Sequence, residues 1–138
     1  QAKQAADLHT PGFNQRVVYE VIKDGFLDRH IPSIRARYKA NRDAMAKAIK
    51  EHLPAGCEYV EPKGGMFFWI RLPELLSLAV DAGIAFVPGA AFYAANPDPR
   101  ALRLSFVTLT PDQIEKGVAI LGKVLHDALN STHAIPTP

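Results

Sequence analysis

The sequence predicts an α+β domain built on a small sheet, and three observations carry that expectation. A segment from about Ile31 to Leu53 has apolar residues at helical spacing, the stretch CEYVEPKGGMFFWIRLP sets two extended runs either side of a glycine turn, and the stretch ALRLSF alternates. In that alternation Leu102, Leu104 and Phe106 share one face, and Arg103 and Ser105 share the other. An arginine there is either a solvated residue on an open sheet or a guanidinium set in a cleft to meet an anion. Alternation alone favours the solvated residue.

The first helical candidate runs from about Pro11 to Phe26, with Thr10 as cap and Pro11 in the first helical position. Val17, Val18, Val21 and Ile22 spread around its circumference with Tyr19 among them, the mark of a helix covered on more than one side. A break from Gly25 to Pro32 precedes the long helix, whose stripe is Ile34, Tyr38, Met45, Ile49 and Leu53. Its basic residues Arg35, Arg37, Lys39, Arg42, Lys47 and Lys50, with Asp43 and Glu51 among them, read as a solvated face rather than a nucleic-acid surface.

After Pro54 to Gly56 come a short strand, a turn at Gly64 and Gly65, and a longer strand from Met66 to about Leu72. A short helix is expected from Pro73 to Ala82, then a strand from Ile84 to Val87 and a loop to Arg100. The last helix has the clearest start: Thr110 as cap, Pro111 first, Asp112 favourable to the dipole and Gln113 closing a capping box. Its seam is Ile114, Val118, Leu121, Leu125 and Ala128, and the tail, residues 131–138, is expected to fray.

A chain of 138 residues suits one domain, 1–138, and 48% hydrophobic with 22% charged residues is the balance of a soluble globular protein. A net charge of +2 does not indicate an electrostatic partner for nucleic acid. The single cysteine, Cys57, excludes an internal disulfide and fits a reducing compartment. No apolar run approaches a membrane span, so the expectation is a cytoplasmic protein engaging neither membrane nor nucleic acid. The opening QAKQAADLHT reads as the interior of a longer polypeptide.

Several chemistries find no support. Gly64 and Gly65 stand outside any dinucleotide or phosphate-loop pattern. His9, His30, His52, His126 and His133 lack metal-ligand spacing, and Cys57 has no local signature of a nucleophile.

Taken in order, LHTPGFNQ, PKGGMFFWIRLP, GIAFVPGAAFY and LRLSF resemble the C-terminal part of fold type I pyridoxal-phosphate aminotransferases, above all the α-aminoadipate and kynurenine type. The resemblance runs from about Leu8 to Leu129. It implies a small domain with a mostly antiparallel sheet of about three or four strands flanked by helices. It also implies that Arg103 clamps the substrate α-carboxylate, that Phe67 lines the substrate pocket, and that Leu8 borders it. Ordinary core packing stands beside the pocket role for Phe67, and Pro88, Gly89 and Phe92 match a turn read as structural.

The activity implied is exchange of an amino group between an amino acid and a 2-oxo acid in a homodimeric parent with a large cofactor-binding domain. The family's Schiff-base lysine follows a serine by three residues. None of Lys3, Lys23, Lys39, Lys47, Lys50, Lys63, Lys116 or Lys123 does so. Pyridoxal 5′-phosphate is therefore expected in the full-length parent and not covalently on this chain, which alone should be inactive. A second implied reading is the aminotransferase-like effector domain of a winged-helix transcription regulator. A third, without that ancestry, is an interaction module using the basic helix face.

Overall fold

The computed structural model describes residues 5–6, 9–73 and 87–132, with backbone only at 87–88 and 131–132. The expected helix at Pro73–Ala82, apart from Pro73, and most of the strand at Ile84–Val87 fall outside the described residues, as do Leu8, Lys3 and residues 133–138. The chain forms two compact units, residues 1–37 and 38–138.

In the first unit, helix α1 spans Gly12–Ile22 with Pro11 as its N-cap and no side-chain cap. The cap expected of Thr10 is not formed; its carbonyl instead accepts a bond from Gln15 Nε2 at 3.0 Å. The helix ends short of Phe26 because Gly25 takes the left-handed conformation, φ +67°, that side chains disfavour. Helix α2, Phe26–His52, begins at once and carries Pro32 inside it, where the sequence predicts a break. The proline withholds one helical N–H, a loss confined to one bond, and the helix continues through it. No residue of α1 is buried, and Phe13 and Tyr19 are 77% and 61% exposed.

In the second unit, strands β1 (Glu58–Tyr59), β2 (Phe67–Arg71), β3 (Val87–Pro88) and β4 (Ala101–Ser105) form a sheet in the order β1-β2-β4-β3. All three pairings are antiparallel, which makes the α+β class and the small antiparallel sheet findings of the structure. Phe68, Ile70 and Leu102 point inward and are fully buried, and Phe106 meets Phe68 edge to face at 5.9 Å. Met45, Ala48 and Ile49 of α2 close this core together with Ile114, Val118, Leu121 and Leu125 of helix α3, Pro111–Thr132. Both helices pack against the same sheet face, and on the other the outward residues of β2, Phe67, Trp69 and Arg71, are exposed.

Helix α3 starts as its sequence predicts. Gln113 N–H donates to Thr110 Oγ1 at 3.4 Å, and Gln113 Oε1 accepts from the Thr110 N–H at 3.0 Å. It runs on to Thr132, into the tail expected to fray. No described helix is long and apolar enough to cross a membrane.

One polar residue sits in the core. Asn41, 2% exposed, donates through Nδ2 to the carbonyls of Phe106 at 2.7 Å and Leu109 at 2.9 Å. It thereby fixes the chain just after β4. Asn41→Leu keeps the branching and heavy-atom count but strands both carbonyls, so it is expected to destabilise by about 1–3 kcal/mol, measured as a lower urea midpoint at unchanged slope. A midpoint equal to wild type would show that water replaces the amide.

Candidate functional site

The open face of the sheet collects the residues that the core does not need. Alternation along β2 turns Phe67, Trp69 and Arg71 outward, and the register sets Trp69 opposite Arg103 and Phe67 opposite Ser105. Directly opposite residues share a face, so Arg103 lies among the aromatics of β2.

After β3 the chain makes a 3₁₀ turn, Gly89–Phe92, which presses onto β4. A Cβ on Gly89 would stand 2.7 Å from the backbone carbonyl carbon of Ala101, so only glycine permits this approach. The turn delivers Phe92 to Arg103. The guanidinium carbon of Arg103 stands 4.1 Å from the centre of the Phe67 ring and 4.0 Å from that of Phe92. Trp69 holds Phe92 in turn, edge to face at 6.0 Å, and also touches Tyr93 at 6.0 Å.

Arg103 is half-buried, and among the described residues no carboxylate pairs with it. Its neighbours on the same sheet differ. Arg71 Nε donates to Asp98 Oδ2 at 2.6 Å and Arg100 Nε to Asp98 Oδ1 at 3.3 Å. The Arg100 backbone N–H above all, then the two guanidinium groups, hold the Asp98 carboxyl below its usual range against partial burial. Those arginines are structural ties between loop and sheet. Beside them Tyr59, Trp69, Tyr93, Glu58 and Arg71 line a groove of about 340 Å³, at the lower end for small-molecule sites.

Of the sequence-predicted site residues, the structure brings Arg103 and Phe67 together, and Leu8 lies outside the described residues. Phe67 is 36% exposed on the open face, so the core-packing reading of it is corrected. Phe92, read from sequence as part of a structural turn, contacts the arginine directly.

Other candidate chemistry is weaker. Burial pushes the Cys57 thiol up to about 11, which keeps it protonated and poorly nucleophilic at neutral pH. Glu51, His52 and Glu115 bring one ligand atom each within 4.8 Å of one another, a grouping that sequence spacing could not reveal because Glu115 comes from α3. Two of the three are exposed carboxylates, and no metal is assigned to them. On the basic face of α2, Lys39 pairs with Asp43 at 2.6 Å and Lys47 with Glu51 at 3.8 Å, as on a solvated helix.

Residues 1–121 match the family model described as aminotransferase class I and II. The chain is 42% identical to the 2-aminoadipate transaminase of Thermus thermophilus over 94% of its length, and that match covers 34% of the relative. It is 39% identical to the aromatic-amino-acid aminotransferase 1 of Thermococcus litoralis over 93% of its length and 32% of the relative. The chain thus spans about a third of the length of these curated relatives. Among solved structures, an α-aminoadipate aminotransferase from Thermus thermophilus complexed with N-(5′-phosphopyridoxyl)-L-leucine superposes with a TM-score of 0.77. It is 41% identical, with 95% of this chain and 35% of that one covered.

Proposed function

Because this chain belongs to the aminotransferase class I and II family, we propose that it is the C-terminal small domain of a pyridoxal-phosphate-dependent aminotransferase, in which Arg103 binds the substrate carboxylate. The observation that carries this reading is the half-buried guanidinium on the open sheet face, with no carboxylate partner among the described residues while Arg71 and Arg100 both have theirs. A guanidinium offers paired donors in one plane that match both oxygens of a carboxylate. The amino-acid donor and the 2-oxo acid acceptor share that group, so one residue orients both. Phe67 lines the same pocket, and a role for Leu8 rests on the family resemblance alone. The named donors of the relatives, 2-aminoadipate and aromatic amino acids, differ in side chain but not in the carboxylate.

The described lysines of this chain do not fit covalent attachment of the cofactor. A Schiff-base lysine works from a desolvated pocket that lowers its pKa, whereas every described lysine is exposed. The cofactor is assigned to a large domain of a homodimeric, cytoplasmic parent. Residues 1–138 act as one domain beside it, and alone they are inactive. The regulatory alternative has less support, since the relatives at 39% and 42% identity are named as aminotransferases.

The test uses the 138-residue chain and the full-length protein side by side. Each is mixed with pyridoxal phosphate, reduced with borohydride, mapped by mass spectrometry and assayed for transamination. The full-length protein should carry one lysine adduct outside this chain and be active. A stoichiometric adduct on a single lysine of the isolated chain would refute the assignment.

A further inference from the structure

The surroundings of Arg103 restrict how an anion can reach it. Strand β4 lies between β2 and β3, so the two aromatic rings come from different neighbours: Phe67 from β2, and Phe92 from the turn that follows β3. Ring centres at 4.1 and 4.0 Å from the guanidinium carbon leave no room for an oxyanion between either ring and the group. The guanidinium N–H bonds lie in the plane of the group and point outward from its edge.

We propose that Phe67 and Phe92 are positioning residues that hold the Arg103 guanidinium between their rings, so that it accepts planar carboxylates edge-on and disfavours tetrahedral oxyanions such as sulfonates. This rests on the reading of Arg103 as the carboxylate-binding residue and adds to it the source of its selectivity. A carboxylate lays both oxygens in the guanidinium plane and makes two parallel bonds. A sulfonate can place two oxygens in that plane, but its third oxygen and its substituent then project above and below it, towards the rings. The rings also attract the cation electrostatically, which holds the side chain in one orientation before any anion arrives. Trp69 extends the arrangement, its ring meeting that of Phe92 edge to face at 6.0 Å. Both phenyl rings are solvent-accessible, 36% exposed for Phe67 and 47% for Phe92, so truncating them removes the clamp without opening the core.

The experiment follows the Arg103 Nε–Hε signal of the 138-residue chain by NMR during titration with acetate and, separately, methanesulfonate at constant ionic strength. Acetate should bind more tightly by about two- to fivefold, the factor that one exposed cation–π contact represents. Phe92→Leu should bring the two affinities close to equality and shift the Nε–Hε signal downfield as a ring current is lost. Phe92→Tyr, which keeps a ring, should restore both, and Phe67→Leu should act like Phe92→Leu. Equal binding of the two anions by wild type, no acetate binding at all, or a preference untouched by Phe92→Leu would each overturn the proposal. Failure of the aminotransferase reading would show elsewhere, as unaltered turnover in a full-length Arg103→Ala enzyme, and would leave this affinity ratio as it is.

Discussion

If the proposed transaminase function holds, Arg103→Ala in the full-length protein is expected to lower kcat/KM by one to two powers of ten or more. A charge-assisted hydrogen bond is worth about 1.5–3 kcal/mol, and leaving a bound carboxylate unpaired adds to that loss. Each 1.4 kcal/mol is about tenfold. Lysine should rescue only in part: it restores a charge but neither the planar fork nor the flat faces that Phe67 and Phe92 contact at 4.1 and 4.0 Å. Cofactor affinity should change far less than substrate affinity, because no residue around Arg103 is assigned to the cofactor. Steady-state kinetics with donor and acceptor varied in turn measure both effects. Normal kcat/KM in a folded Arg103→Ala enzyme would return the residue to an ordinary place on an open sheet.

The alternation of β4 is enough to put Arg103 on the open face, because a period of two is a property of the backbone that neighbours do not alter. The Thr110 and Gln113 cap is equally legible in the sequence, since both partners lie within one helical turn. What sequence could not supply were contacts between distant residues. Asn41 reads as one more polar position on a helix; its role exists only because the chain after β4 brings the carbonyls of Phe106 and Leu109 to it. Phe92 reads as part of a turn until strand order sets that turn beside β4. The break expected from Gly25 to Pro32 is confined to residues 23–25, and its Pro32 end failed for a different reason. Proline removes a single N–H, and in α2 the surrounding helical bonds carry the chain through.

Two glycines of α3 should respond in opposite directions to the same substitution. Alanine in a helix interior is ordinarily favoured over glycine by about 1 kcal/mol, because glycine loses more backbone freedom on folding. At Gly117 a Cβ would have nothing within 4 Å, so Gly117→Ala should realise that gain and raise stability by roughly 0.5–1 kcal/mol. Gly122 is buried where α3 crosses the end of α2, and its Cβ would lie 2.8 Å from the carbonyl carbon of His52 and closer still to the oxygen. Backbone cannot rotate aside as a side chain can, so the two helices must separate, and overpacking of this kind costs about 1–3 kcal/mol. That outweighs the propensity gain. Gly122→Ala should therefore destabilise, and the same separation loosens the core contacts of Leu121 and Leu125 beneath the sheet that carries Arg103. Urea unfolding of both variants beside wild type decides the matter: midpoints moving apart are expected, whereas a shared rise would mean that the α2 to α3 crossing is looser than the structure shows.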